Sequence, residues 1–365
     1  MQAERSAALS EQGMDHFFPL RVASLAAETR DAKVITLDVP DAWARAFRFL
    51  PGQHLVVRVL LDGNEVRRAY SICSACHEPL RITVKRVTDG RLSGWLNDRL
   101  QPDDRLYCMP PRGRFGGALM PALARRHVAF AAGSGITPVF SIIKTVLALE
   151  PRSDFTLFYG NRTSSAIIFR EALQELKDRY PNRFSLQFVL SREHRDVSLL
   201  HGRMDRSKCD ALLNTWLDPS GVDVFYLCAP AGVMHAAYES LLGHGVDPVK
   251  IRREHYAGGG QASVVDVAAG TAQTCRITVI QDGLARQFTS IKQGQTLLDA
   301  ALEQGLEMPH ACKAGVCASC RCKLLSGEVV RDNSFALEEA EAAQGFILAC
   351  QSVPVSAEIT VDCDS

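Results

Sequence analysis

The residues with the most distinctive chemistry are cysteines near the C-terminal end of the chain. Four of the 12 cysteines lie within the segment CKAGVCASCRC, residues 312–322. Cys312, Cys317 and Cys320 follow a C-x4-C-x2-C spacing, and Cys350 lies further along the chain. This spacing with a distant fourth cysteine allows four thiolates to bind a [2Fe-2S] cluster. We therefore predict that these four cysteines are metal ligands.

Two simpler interpretations stay open for this segment, a structural zinc site and buried cysteines that bind nothing. Zinc sites favour paired C-x2-C units, and the candidate ligands contain one such pair. Small residues between the ligands let backbone amides approach the sulfurs, which suits a cluster. Cys322 alternates in strand fashion with Cys320, so we expect a packed thiol there, with ligand exchange as the alternative.

A second group of candidate residues lies in RAYSICS, residues 68–74. Arg68 and Tyr70 are two positions apart and share one face of a predicted strand. An arginine and an aromatic ring on one face suit the phosphate and the ring of a flavin nucleotide. Ser71 offers a hydroxyl for the reactive ring nitrogen. Considered alone, the motif also matches an ordinary strand with a solvated arginine.

The segment DGRLSGWLNDRL follows about twenty residues later. Gly90 is predicted to form a turn, and Ser93 is predicted to be the N-cap of a short helix. Free amides at a helix start bind phosphate. A second phosphate site favours the dinucleotide FAD over FMN.

A third candidate site lies in HVAFAAGSGITPVFSIIKTVL, which predicts a strand, a glycine loop and a helix. Gly133 and Gly135 allow the backbone to approach a pyrophosphate closely. Pro138 replaces the last glycine of the GxGxxG pattern and presets the first helical turn. These features predict a pyridine nucleotide site.

Polar residues follow the next two predicted strands of the same region. Arg162 ends FYGNR, and Ser191 and Arg192 lie in LSRE. Hydroxyl and guanidinium groups at strand ends suit a 2'-phosphate, so we predict NADPH over NADH. The alternative is that both arginines are ordinary surface residues.

Three scaffolds are needed to position these residues. Residues 17–117 alternate β-branched runs with turn signals, which predicts an antiparallel β-barrel for the flavin. Residues 122–254 alternate apolar runs with helical stretches, which predicts an α/β domain with a parallel sheet. A glycine-rich linker, 255–272, precedes an α+β domain, 273–365, that carries the cysteines. Residues 1–16 are predicted to be a tail.

The composition limits the kinds of partner. The 365 residues include 41 basic and 41 acidic side chains, so no net charge attracts nucleic acid or an anionic membrane. The N-terminal stretch MQAERSAALSEQGMDHFFPL contains no apolar segment typical of a signal peptide. We therefore expect a cytoplasmic protein that binds neither nucleic acid nor membrane, in which clustered thiols serve metal or redox chemistry.

Two resemblances to known families support these predictions. MPHACKAGVC and ILACQSVP resemble the plant-type ferredoxins, with Ala318 where glycine is frequent, and the match implies a β-grasp fold. PGQ, RAYSIC, GRLS and PPRGRF resemble the flavin barrel of the ferredoxin-NADP reductase superfamily. The nucleotide domain resembles the same superfamily through GITP and YLCAPAG, with Ala229 where glycine is usual.

The superfamily resemblance implies further site residues. It places Cys228 beside the nicotinamide ring and Thr137 near the flavin, with Tyr70 and Ser71 as the remaining residues at the reaction site. A buried structural role for Cys228 is the alternative. The resemblance also extends the FAD and nucleotide sites to additional positions: Ile72, Val84, Lys85, Leu92 and Pro138.

The order of the three modules predicts an electron relay. A hydride donor does not feed a one-electron centre directly, and a flavin bridges the two. The order also resembles oxygenase reductases, such as those of phenylacetyl-CoA epoxidase and 3-ketosteroid 9α-hydroxylase. We therefore predict the reductase component of a bacterial oxygenase with a separate non-haem iron partner. The alternatives are a stand-alone NAD(P)H diaphorase or quinone reductase, and a non-enzymatic redox sensor.

Overall fold

The structure is a computed structural model, and it describes most of the chain. The described residues are 17–256, 274–290, 294–331, 336–337 and 339–365. The predicted tail lies outside these residues, as does the predicted linker from residue 257 onward. Contacts divide the chain into two compact units, one formed by 17–66 with 70–255 and the other by 256–365 with the short segment 67–69.

The first unit begins with a six-stranded sheet in which every recorded pairing is antiparallel. Its strands run in the order β4-β3-β6-β1-β2-β5. Their alternating apolar residues form a core of Leu, Ile and Val side chains. The elements are β1 (Phe18–Thr29), β2 (Ala32–Asp38), β3 (His54–Leu61), β4 (Asn64–Ser71), β5 (Arg81–Lys85), α1 (Arg91–Asp98) and β6 (Arg105–Cys108).

The barrel's sharp connections follow from the local sequence. Asp62 and Gly63 join β3 to β4 with φ values of 52° and 75°, as expected for a two-residue hairpin with Asp-Gly at its centre. At the other end of β4, Ile72 forms an isolated antiparallel bridge with Ile82 of β5. This bridge brings the two outer strands of the sheet together, so the sheet closes on itself.

The first unit continues with a five-stranded parallel sheet in the order β11-β10-β7-β8-β9. Its central strands are apolar almost throughout, because helices cover both faces. The carboxyl ends of parallel strands lie at one edge. The elements are β7 (Arg126–Ala132), α2 (Ile136–Leu149), β8 (Asp154–Asn161), α3 (Arg170–Arg179), β9 (Phe184–Leu190), α4 (Arg206–Trp216), β10 (Val224–Cys228), α5 (Ala231–Gly243) and β11 (Ile251–Arg253).

The second unit contains a mixed sheet in the order β13-β12-β18-β14-β16 and a two-stranded sheet, β15-β17. Only β12 and β18 pair in parallel among the recorded pairings of this mixed sheet. The elements are β12 (Cys275–Gln281), β13 (Leu284–Ser290), α6 (Leu297–Glu303), β14 (Arg321–Ser326), β15 (Val329–Arg331), α7 (Glu339–Ala343), β16 (Phe346–Leu348), β17 (Ser352–Pro354) and β18 (Glu358–Asp362). The predicted fold class, with barrel, parallel sheet and α+β unit, is confirmed.

Candidate flavin, nucleotide and iron-sulfur sites

The structure brings the four predicted ligand cysteines together. Cys312 is in side-chain contact with Cys317 and Cys350, and Cys350 also contacts Cys320. Three of the four thiols are almost completely buried, and Cys312 is half-buried. The tight loop before β14 supplies three cysteines, and the turn after β16 supplies the fourth. The loop with three cysteines and the later turn with Cys350 therefore come together, as the spacing predicted.

The loop backbone is folded so that amides face the sulfurs. Lys313, Gly315 and Ala318 adopt φ values of 51°, 70° and 51°. The Ala314 amide donates to Cys312 Sγ at 3.3 Å, and Gln351 Nε2 donates to Cys350 Sγ at 3.7 Å. Such donors stabilise thiolate charge and tune cluster potential.

The donor set fits a two-iron cluster. Cys312 contacts Cys317 and Cys350, and Cys350 contacts Cys320, so the four thiols lie close enough to supply two thiolates to each iron of a cluster.

The RAYSICS motif lies at the end of β4, as predicted. Arg68 is exposed, Tyr70 is half-buried against the barrel core, and Ser71 is buried on the opposite face. Ile72 is fully buried, and its amide donates to the Gln53 carbonyl at 2.8 Å. Arg68 and Tyr70 therefore share a face of the strand, the arrangement from which the flavin site was predicted.

The other residues predicted to bind the flavin differ in whether their side chains are accessible. Val84 and Leu92 have side chains in the barrel core, so only their backbone groups are available to a cofactor. Lys85, at the end of β5, lies 3.6 Å from Asp31 in a partly exposed ion pair. The cofactor-binding roles of these residues stay predictions.

The predicted N-cap role of Ser93 is wrong. The N-cap of α1 is Gly90, which has an extended backbone, and Ser93 lies within the first turn. Ser93 Oγ accepts from the Val87 amide at 3.1 Å and donates to the Gly90 carbonyl at 3.2 Å. A side chain at Gly90 would meet Ser93 Oγ at 2.4 Å, so glycine at the cap makes room for this hydroxyl.

Glu254 is a candidate site residue that the sequence did not predict. It follows β11, and its amide donates to the Leu227 carbonyl at 3.0 Å, next to Cys228. Ser71 Oγ donates to Glu254 Oε1 at 2.9 Å. Burial raises the pKa of the Glu254 carboxyl group to about 7. A glutamate directly after the last strand was the only sequence signal, and the serine that it meets lies far away in the chain.

The glycine loop lies between β7 and α2, as predicted. Gly133 has a φ of 56°, and its carbonyl accepts from Tyr159 Oη at 2.9 Å. A Cβ on Gly135 would lie 1.8 Å from the Cys228 carbonyl oxygen. The absence of a side chain at Gly135 is therefore needed for close contact between the loop and β10, and the approach of Gly135 to a pyrophosphate stays a prediction.

The first turn of α2 holds the remaining motif residues. Thr137 Oγ1 donates to the Ser134 carbonyl at 3.0 Å, and Pro138 is buried in the same turn. Cys228 is the last residue of β10 and is fully buried. The loop, the helix start and the end of β10 therefore meet at the carboxyl edge of the parallel sheet, where ligands bind in open α/β sheets.

The predicted phosphate-binding residues lie along the same edge. Arg162 follows β8, and Ser191 and Arg192 follow β9. The Arg192 amide donates to the Arg162 carbonyl at 2.8 Å, so the two exposed arginines are neighbours. Glu193 brings an acidic group to this edge, where its carboxylate accepts from the Ser164 amide at 2.7 Å.

These features define a class of protein, an electron-transfer oxidoreductase with flavin, nucleotide and iron-sulfur sites in one chain. Family models match all three parts. Residues 19–116 match an oxidoreductase FAD-binding domain, 130–239 match an oxidoreductase NAD-binding domain, and 273–355 match a 2Fe-2S iron-sulfur cluster binding domain.

Curated relatives match nearly the whole chain. The chain is 40% identical to a component of 1,2-phenylacetyl-CoA epoxidase from Escherichia coli K12, over 96% of this chain and 99% of the relative. It is 33% identical to the ferredoxin reductase component of 3-ketosteroid-9-alpha-monooxygenase from Mycobacterium tuberculosis H37Rv, over 96% and 97%. The chain belongs to this family of flavin and iron-sulfur reductase components of multicomponent oxygenases.

A solved structure shows the same fold. Phthalate dioxygenase reductase superposes with a TM-score of 0.58 at 23% identity, over 95% of this chain and 98% of that chain.

Among the described residues, no helix has the length and apolar character needed to cross a membrane. The protein is an NAD(P)H-dependent flavin iron-sulfur reductase.

Proposed function

We propose that this reductase draws hydride from NADPH and supplies single electrons to a non-haem iron oxygenase that acts on an aromatic acyl-CoA thioester. The observation that carries the proposal is the presence, in one chain, of a closed barrel with the flavin motif, a nucleotide loop and four converging thiols. A bound flavin accepts two electrons together and releases them one at a time, which links the two kinds of carrier.

The protein side chains position the reactants and handle a proton. Arg68 is placed to neutralise flavin phosphate, and Tyr70 to pack on the flavin ring. Ser71 and Glu254 form a hydrogen-bonded pair at 2.9 Å. Because the Glu254 pKa is about 7, its carboxyl group can gain or lose a proton at neutral pH and exchange it with Ser71 Oγ.

The nucleotide is held by backbone and by charge. The Gly133–Gly135 turn precedes α2, and the helix start favours an anionic pyrophosphate. Thr137 and Cys228 lie at the same edge and are proposed to face the nicotinamide.

The preference for NADPH is tested at Arg192. A guanidinium pairs with a 2'-phosphate and gains little from a ribose hydroxyl. Arg192→Ala is expected to raise KM for NADPH about tenfold or more and to change KM for NADH less than twofold. Arg179→Ala, at the far end of α3, serves as the control because it lies at the amino-terminal edge of the strands. Equal effects on both nucleotides would remove the proposed preference.

The choice of oxygenase partner rests on the relative with 40% identity, whose name contains phenylacetyl-CoA. Purified reductase is mixed with the oxygenase components of the Escherichia coli epoxidase and, separately, with the ketosteroid oxygenase. We expect NADPH-driven product formation with the first system at least tenfold above that given by a generic ferredoxin-reductase pair. Equal stimulation by the generic pair would favour a diaphorase without a dedicated partner.

A further inference from the structure

The second unit contains a pair of cysteines outside the four-cysteine cluster site. Cys322 lies in β14 and Cys363 directly follows β18. These strands are antiparallel, and Lys323 pairs with Asp362, so Cys322 and Cys363 occupy the next opposing positions. Their side chains are in hydrogen-bond contact. Cα atoms of opposing antiparallel residues are about 4.5–5.5 Å apart, which lies within the range of about 4.4–6.8 Å for disulfides.

Cys363 is held in place from both sides. Its amide donates to the Ile280 carbonyl of β12 at 2.9 Å. The carboxylate of the next residue, Asp364, accepts from the amides of Asp282 and Gly283 at 2.8 and 2.9 Å. The C-terminal segment is therefore anchored to the β12–β13 hairpin, and a bond between Cys363 and Cys322 needs little chain movement.

The two thiols differ in access to solvent. Cys322 is fully buried in the core of the unit, whereas Cys363 is only partly buried at its border. A small oxidant in solution therefore reaches Cys363 first. Of the ligand cysteines, Cys317, Cys320 and Cys350 are buried to within a few per cent, and Cys312 is half-buried.

We propose that Cys322 and Cys363 form a reversible redox pair, a modification site that peroxides oxidise to a disulfide while the four ligand cysteines stay in place. The Cys363 sulfur attacks hydrogen peroxide, so that an S–O bond forms, the O–O bond breaks and one water leaves. The Cys322 sulfur then displaces the hydroxyl group, which leaves as a second water. Overall, two thiols and one peroxide give one disulfide and two waters.

The bond joins the two strands that flank the segment carrying the fourth ligand. Residues 323–362 lie between the paired cysteines, and this loop contains Cys350. Closing the loop reduces the freedom of the unfolded segment. Protein that contains the Cys322–Cys363 disulfide is expected to lose its visible cluster absorbance in urea at least threefold more slowly than protein in which both thiols are free.

The test uses the cluster-loaded, full-length protein. It is exposed to hydrogen peroxide, alkylated without reduction, digested and analysed by mass spectrometry, while visible absorbance reports the cluster. The expected result is a Cys322–Cys363 crosslinked peptide that appears before absorbance is lost and disappears with dithiothreitol. Cys363→Ser should abolish it. Cys76→Ser, a similarly buried cysteine in the other unit, should leave it unchanged.

Three outcomes would overturn the proposal. The first is oxygen addition at Cys363 without a crosslink in protein that keeps its absorbance. The second is a crosslink that forms only after the cluster is lost. The third is a crosslink from Cys322 to Cys320 in place of Cys363. Because Cys363 is partly exposed, Cys363→Ser is expected to fold, and its absorbance spectrum checks this directly.

Discussion

At the scale of single residues, the ligand loop contains a backbone conformation that its side chain disfavours. Ala318 has a φ of 51°, in the left-handed region that costs a residue with a Cβ about 1–2 kcal/mol. Plant-type ferredoxins frequently have glycine at this position, and the structure gives the physical reason. Alanine at this position therefore carries a backbone cost that glycine would avoid.

Ala318→Gly is therefore predicted to stabilise the second unit. Removal of the strain is partly offset by the greater freedom of glycine in the unfolded chain, so we expect a net gain of about 0.5–1 kcal/mol. The measurement is the urea midpoint for loss of cluster absorbance. Ala314→Gly, in the same loop without a positive φ, should lower that midpoint. A lower midpoint for both variants would contradict the account of Ala318.

Glu254 makes a prediction about stability and pH. Its pKa is raised from 4.5 in the unfolded chain to about 7 by burial, so the folded protein binds this proton more tightly. The resulting contribution to the free energy of unfolding is complete below pH 4.5, decreases as pH rises and is lost above pH 7. Glu254→Gln should remove this dependence and make the flavin-free protein more stable at pH 8 by roughly 2 kcal/mol.

Urea unfolding of the flavin-free protein at pH 5.5 and pH 8 measures this effect. Glu175→Gln replaces an exposed glutamate on α3 and should leave the difference between the two pH values unchanged. If Glu254→Gln kept the wild-type difference, the raised pKa would be wrong. The same variant should flatten the pH dependence of flavin reduction near neutrality.

At the scale of elements, Gly135 controls how closely α2 approaches β10. An alanine there would place Cβ 1.8 Å from the Cys228 carbonyl oxygen, so the helix start must move away from the strand. Gly135→Ala is predicted to cost about 3 kcal/mol of stability and to raise KM for the nucleotide at least tenfold. Thermal unfolding and steady-state kinetics measure the two effects.

Gly232→Ala provides the matched control for this prediction. Gly232 is an exposed helical glycine in α5, and nothing lies within 4 Å of an added Cβ. Alanine there should be neutral or stabilise the protein by up to about 1 kcal/mol. If Gly135→Ala behaved like Gly232→Ala, close packing of the loop against β10 would not explain the glycine.

Short sequence patterns predicted most of the helices and strands. The features that these patterns missed depend on contacts between residues that are far apart in the chain. The Asp62-Gly63 turn and the apolar run of β7 are dictated by neighbouring residues. Cys312, Cys317 and Cys320 could likewise be predicted as ligands because their spacing is a short local motif. The Ser71–Glu254 bond joins residues 183 positions apart, and no local pattern encodes it. The N-cap of α1 was predicted at Ser93 and not at Gly90 because both residues lie within one turn of the helix start and either type can cap a helix.

At the scale of the whole molecule, three sites with different chemistry lie on three different sheets. The parallel sheet and the barrel, apart from residues 67–69 of β4, belong to one compact unit, and the cysteine loop belongs to the other. Each unit has its own buried core. Separate cores predict that damage to the cysteine site leaves flavin and nucleotide binding intact.

Cys317→Ser tests this independence. Serine is a poor ligand for iron compared with thiolate, so the variant should lose its cluster and its ability to drive an oxygenase. Its NADPH-dependent reduction of ferricyanide should stay within about twofold of wild type, because that reaction needs only the first unit. Cys275→Ser changes a buried cysteine that is not a predicted ligand and should keep both activities. If Cys317→Ser lost ferricyanide reduction while its flavin content and thermal unfolding stayed normal, the two units would not work as separate modules, and the order of electron transfer proposed above would need revision.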